Sequence, residues 1–118
     1  MISRDEHDRI RFIHYKNQLK NYPSVHALKI RDIAQVNDSV MMAGTTDGLL
    51  TFSSEFNHPE EIKFYRNARQ AQISTSIGSS DVMQVFTNHE DIYLVTFSGG
   101  VNKIISDNLL SENIKFKA

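Results

Sequence analysis

The chain has 118 residues, 13 Lys+Arg against 14 Asp+Glu for a formal charge of −1, and neither Cys nor Trp. These figures leave room for one ordinary domain or a few repeats; they exclude disulfides, thiolate metal sites and cysteine nucleophiles, and they give no global basic field to attract nucleic acid or anionic lipid. Hydrophobic residues make up 40%, enough for a packed core, but the longest apolar runs are four residues, at 40–43 and 92–95, far short of a membrane span.

Residues 1–9 have no apolar stretch of the signal-peptide kind and are expected to form a flexible lead-in. From Ile10 the pattern turns to period 2, with Ile10 and Phe12 alternating against Arg11, which predicts a strand over 10–15 with no obvious partner. A polar stretch with Pro23 then reads as a loop. Three strand-like runs follow at 30–36, 40–45 and 49–54. Their spacers, Asn37-Asp38-Ser39 and Thr46-Asp47-Gly48, are turn chemistry, since Asn and Asp tolerate left-handed backbone and Gly adopts it without strain. The segment 61–65, EIKFY, has Ile62 and Phe64 facing one way and Lys63 and Tyr65 the other, and predicts a fourth strand.

The same order recurs at 81–87, 91–97, 101–105 and 113–117, with turns at Asn88-His89-Glu90 and Ser98-Gly99-Gly100. Displacing the chain by 52 residues lays Ile10-Arg11-Phe12 on Ile62-Lys63-Phe64 and on Ile114-Lys115-Phe116. The same shift puts Ile30 on Val82, Ile33 on Val85, Val40 on Ile92, Met42 on Leu94, Leu49 on Val101 and Glu60 on Glu112. One local ambiguity remains: the second copy has either the same spacing or one residue fewer before its central strand and one Gly more in the next turn. The matched positions Ile33, Val40, Met42, Leu49 and Phe64, with Val85, Ile92, Leu94, Val101 and Phe116, are expected to be buried equivalently.

Four strands per unit of about 50 residues is the period of a propeller blade. The expected fold is therefore all-β, with about two four-stranded antiparallel β-propeller blades plus one extra outer strand. The division is 10–24 as the outer strand of a preceding blade with its loop, 25–76 as the first repeat and 77–118 as the second. A two-sheet sandwich ranks second, because it gives no reason for recurrence at a fixed displacement.

Residues 30–53, IRDIAQVNDSVMMAGTTDGLLTFS, and 81–104, DVMQVFTNHEDIYLVTFSGGVNKI, resemble the regulator-propeller repeat of hybrid two-component sensors. The links IKFYRN, SSDVM, GGVNKI and SENIKF are similar to the connections between successive blades in such sensors of Bacteroides-type bacteria, and the likeness runs over residues 10–118. Where that family places Trp on the central strand, this chain has Met41 or Met42 and then Tyr93. The resemblance implies a periplasmic sensor segment of a membrane-anchored histidine kinase that detects a glycan fragment and signals to a phosphorelay.

The residues themselves supply no catalytic constellation. Of the five histidines, His7, His14, His26, His58 and His89, no two lie within five residues of each other. The acidic groups Asp5-Glu6-Asp8 and Glu60-Glu61 lie in polar sequence, where nothing would desolvate one carboxylate of a general acid-base pair. The turn Asn88-His89-Glu90-Asp91 has oxygen ligands for a weak Ca²⁺ contact but not the spaced EF-hand pattern. Ser98-Gly99-Gly100 and Gly78-Ser79-Ser80 open no helix and so read as turns, not phosphate loops. Arg11, Lys63 and Lys115 read as solvent-facing edge residues.

The expectations are no enzyme activity, no cofactor, no metal, and no nucleic acid or membrane contact by this segment. Tyr22, Tyr65, Asn88 and His89 are the candidates for contact with an oligosaccharide. The expected partners are neighbouring propeller blades or other copies of the chain, in a homo-oligomer. A protein-protein interaction propeller of the Trp-Asp-repeat kind is the alternative, although the chain has no Trp-Asp pair.

Overall fold

The computed structural model describes residues 2–4, 10–12, 29–55 and 57–118. Among these the chain is all-β, with a single 3-10 turn at Pro59–Glu61 as its only helical element. Strands β1 (Ile2–Arg4) and β2 (Ile10–Phe12) pair antiparallel as a two-stranded sheet. The strand expected to stand alone therefore has a partner, and that partner comes from the stretch read as a lead-in. Residues 13–15, which were to continue that strand, lie outside the described residues.

Two four-stranded antiparallel sheets follow, each a meander in chain order. The first contains β3 (Ile30–Gln35), β4 (Val40–Thr45), β5 (Gly48–Ser53) and β6 (Tyr65–Asn67). The second contains β7 (Val82–Asn88), β8 (Asp91–Thr96), β9 (Gly100–Ile104) and β10 (Phe116–Lys117).

The registers make the two sheets copies of each other. The bulge between Ile30 and Asp32 in β3 recurs between Val82 and Gln84 in β7, a displacement of 52. Strand β4, however, maps onto β8 by 51, Thr45 on Thr96, because three residues, Asn37-Asp38-Ser39, separate Val36 from Val40, whose carbonyl accepts the Val36 N–H at 3.0 Å, whereas only His89 and Glu90 separate the paired Asn88 and Asp91. The missing residue returns in the next turn. Thr45 pairs Gly48 directly after Thr46 and Asp47, while Thr96 pairs Gly100 after Phe97, Ser98 and Gly99. In both sheets the threonine hydroxyl donates to the carbonyl of that glycine, at 2.7 Å for Thr45 and 2.9 Å for Thr96.

This one-residue slip decides which side chains are buried, since a shift of one in a strand exchanges its two faces. Val40, Met42 and Leu49 face the second sheet and meet Val82, Val85, Ile92, Leu94, Ile104 and Phe116 in one core. Met41 and Ala43 point the other way and join Leu50, Phe52 and Ile62 in a second cluster. The true counterparts of Ile92 and Leu94 are therefore Met41 and Ala43, not Val40 and Met42. Ile33 and Val101, expected inside, are 40% and 51% exposed because they lie on the faces turned away from the contact between the sheets. Phe64 is only half-buried.

The fourth strand of the first sheet also starts later than expected, at Tyr65 rather than 61. Pro59 opens a 3-10 turn, closed by the Glu61 N–H donating to the His58 carbonyl at 3.0 Å, where the strand was expected to begin. The alternation holds ahead of the strand: Ile62 is buried, Lys63 exposed, and Phe64 packs its ring 4.9 Å from that of Phe52.

Polar links fix one sheet on the other. Asp32 Oδ2 accepts the Val85 N–H at 2.8 Å, and Arg31 pairs with Asp81 at 2.9 Å. At the outer strands Asn67 donates to the Ser111 carbonyl at 2.8 Å and accepts from the Ile114 N–H at 3.0 Å. Asn102 performs a similar task, accepting from the Gly78 N–H and donating to the Gly99 carbonyl. Both asparagines are buried with partners on both ends of the amide, the condition under which burying such a group is tolerated.

Candidate functional site

The meander puts the β3–β4 and β7–β8 turns at the same end of the two-sheet stack. Between them, with the β9–β10 connection as its third wall, lies a groove of about 400 Å³. Its polar lining comes from Asn37, His89, Glu90, Asp91, Ser106 and Asp107, and its floor from Val36, Ile92, Ile104 and Leu109. Each wall has a local cause. Asn37 Oδ1 accepts the N–H groups of Ser39 and Val40 at 2.8 and 2.9 Å, an Asx-type turn that fixes the first wall. His89 sits at φ 59°, the left-handed conformation that a two-residue connection demands here. Ser106 Oγ accepts the Lys115 N–H at 2.7 Å and holds the third wall against the end of the sheet.

Glu90, Asp91 and Asp107 are all exposed, so the groove presents hydrogen-bond acceptors to a polar guest instead of a desolvated acid-base pair. Asp91 is also ion-paired with Lys103 at 3.5 Å. Among the described residues no three His, Asp or Glu side chains converge as a metal site.

A second cavity, about 290 Å³, lies along the β5–β6 connection and is lined by Glu55, His58, Glu61 and Tyr65 among others. The sequence candidates are thus divided. Asn88 ends β7 and is exposed, His89 lines the larger groove, Tyr65 is half-buried beside the smaller one, and Tyr22 lies outside the described residues. His7, His14, His26 and the Asp5-Glu6-Asp8 group also lie outside them. Gly78 and Gly99, from the two glycine turns that open no helix, pack on each other: a Cβ on Gly99 would come 2.5 Å from the Gly78 carbonyl carbon. Asn37, Ser106 and Asp107 were not singled out from the sequence, because only the packing of one sheet on the other brings them to the groove.

No family model, curated protein or solved structure matches the chain. No helix among the described residues is long and apolar enough to cross a membrane.

Proposed function

We propose that the chain is a non-catalytic pair of propeller-type blades that serves in the periplasmic sensing region of a hybrid two-component system, where it helps receive an oligosaccharide fragment. The observation that carries this reading is the internal equivalence: two meanders with the same bulge and the same threonine-glycine turn bond, stacked so that one face of the first receives the opposite face of the second. Repetition of this kind, together with the sequence resemblance over residues 10–118, supports blades better than a sandwich of unrelated sheets. The groove at the turn end suits a polyol, with carboxylate and amide acceptors above an apolar floor.

The test is calorimetric titration of the chain with a panel of plant and host oligosaccharides, repeated on His89→Ala and Asp107→Ala. Weak binding lost in both variants supports the reading. Absence of binding across the panel, or turnover of any glycan that a single substitution abolishes, overturns it.

A further inference from the structure

The groove and the smaller cavity lie at one end of the stack. In a four-stranded meander the first and third connections leave at the same end, so the β3–β4 turn and the β5–β6 connection of the first sheet share it with the β7–β8 turn and the β9–β10 connection of the second. The β9–β10 connection stands between the two hollows, and consecutive residues of it face them: Leu109 lines the groove and Leu110 the cavity. Their Cα atoms are about 3.8 Å apart, the span of one trans peptide, so at this point a single run of backbone divides the hollows.

That ridge is pinned along its length. Ser106 Oγ accepts the Lys115 N–H at 2.7 Å, Asn108 Oδ1 the Leu110 N–H at 3.2 Å, and the Ser111 carbonyl the Asn67 side-chain amide at 2.8 Å. Leu109 is buried in the core between the sheets, and Leu110 packs against the same cluster. A wall anchored in this way needs no ordering when a ligand arrives, which keeps the entropic cost of binding low. Beyond the ridge, the cavity sets the half-buried ring of Tyr65 beside Ile62 and Leu110, with the exposed His58 and Lys63 as polar lining. At about 290 Å³ it lies at the bottom of the range for ligand pockets, roughly 300–1,000 Å³, and cannot enclose an oligosaccharide alone. A flat ring beside apolar carbon, with hydrogen-bonding groups around it, suits the C–H face of a single pyranose unit.

We infer, resting on the oligosaccharide reading above, that the groove and the cavity are two subsites of one extended site, filled together by an oligosaccharide that crosses the Leu109-Leu110 ridge. Tyr65 and His89, on separate sheets, then touch the same ligand from either side of that ridge.

The test is chain-length dependence. Calorimetric titration of the full chain with xylo-, manno-, malto- and chito-oligosaccharides of two and five units should give, in the series that binds, a five-unit Kd on the order of tenfold below the two-unit Kd, because the second subsite is filled without a second loss of freedom. Tyr65→Ala should raise the five-unit Kd to about the two-unit value of the parent. His58→Ala combined with Lys63→Ala, both at exposed positions, should also reduce the increment, and it provides the reading if the Tyr65 variant does not fold. Equal Kd values for two and five units, or a gain that survives both variants, would overturn the two-subsite arrangement and leave the oligosaccharide reading standing. Absence of binding in every series would overturn the oligosaccharide reading and the extended site with it.

Discussion

Gly44 lies directly under Val82, so close that an added Cβ would stand 2.9 Å from both the Val82 Cγ1 and its carbonyl oxygen. Here the backbone of one sheet lies in close contact with the other. Gly44→Ala should destabilise the chain by about 1–3 kcal/mol in urea melts, since the backbone oxygen cannot yield as a flexible side chain would. Gly100→Ala is the contrasting case. Its Cβ would meet nothing within 4 Å, and the cost there, about 1–2 kcal/mol, comes only from φ of +72°. Equal tolerance at position 44 would mean that the sheets are farther apart than described.

The bond between Asp32 and the Val85 N–H should be worth more than an exposed contact, because Val85 is buried and its N–H would be left without a partner. Asp32→Ala should cost about 1–3 kcal/mol. Asp32→Asn, which keeps a carbonyl acceptor in place, should recover most of that loss; if both variants melt alike, the bond is not formed in solution.

Thr51 points into the contact between the sheets and is fully buried, and its hydroxyl has no hydrogen-bond partner. Thr51→Val removes an unsatisfied polar atom and keeps the shape. Its melting temperature should rise or hold, with a gain of up to about 1 kcal/mol. A clear loss of stability would reveal a partner for the hydroxyl.

Phe64 and Phe116 are separated by the repeat displacement, yet they should respond differently to truncation. Phe116 is 3% exposed in the core between the sheets, and Phe116→Ala should cost about 3–5 kcal/mol. Phe64→Ala should cost clearly less, because that ring is half-buried against Phe52 at the edge of the second cluster. Equal losses in chemical denaturation would contradict the difference in burial.

The strand order and the repeat were legible because turn residues punctuate the chain and the apolar matches at a displacement of 52 are many. The faces were not. Residues 40–43, Val-Met-Met-Ala, are apolar without a break, since β4 buries both its faces, and such a run carries no phase from which to read a one-residue slip. The slip could be inferred only from turn lengths, where His89-Glu90 and Phe97-Ser98-Gly99 leave one residue to be moved across the strand. The site was legible in part for a similar reason. His89 and Asn88 announce themselves as turn residues, but Asn37, Ser106 and Asp107 belong to the groove only through tertiary packing.

The two hydrogen bonds of Asn67 have a kinetic consequence. Strand pairing within each sheet is sequential and local, so each meander can assemble from neighbouring hairpins, whereas Asn67 reaches 44 and 47 residues ahead to fasten the last strand of one sheet to the last connection of the other. Such a clasp can close only after both meanders exist. Asn67→Ala should therefore leave the refolding limb of a chevron plot nearly unmoved and speed the unfolding limb, making this residue a brake on the loss of the native state rather than a contributor to its formation.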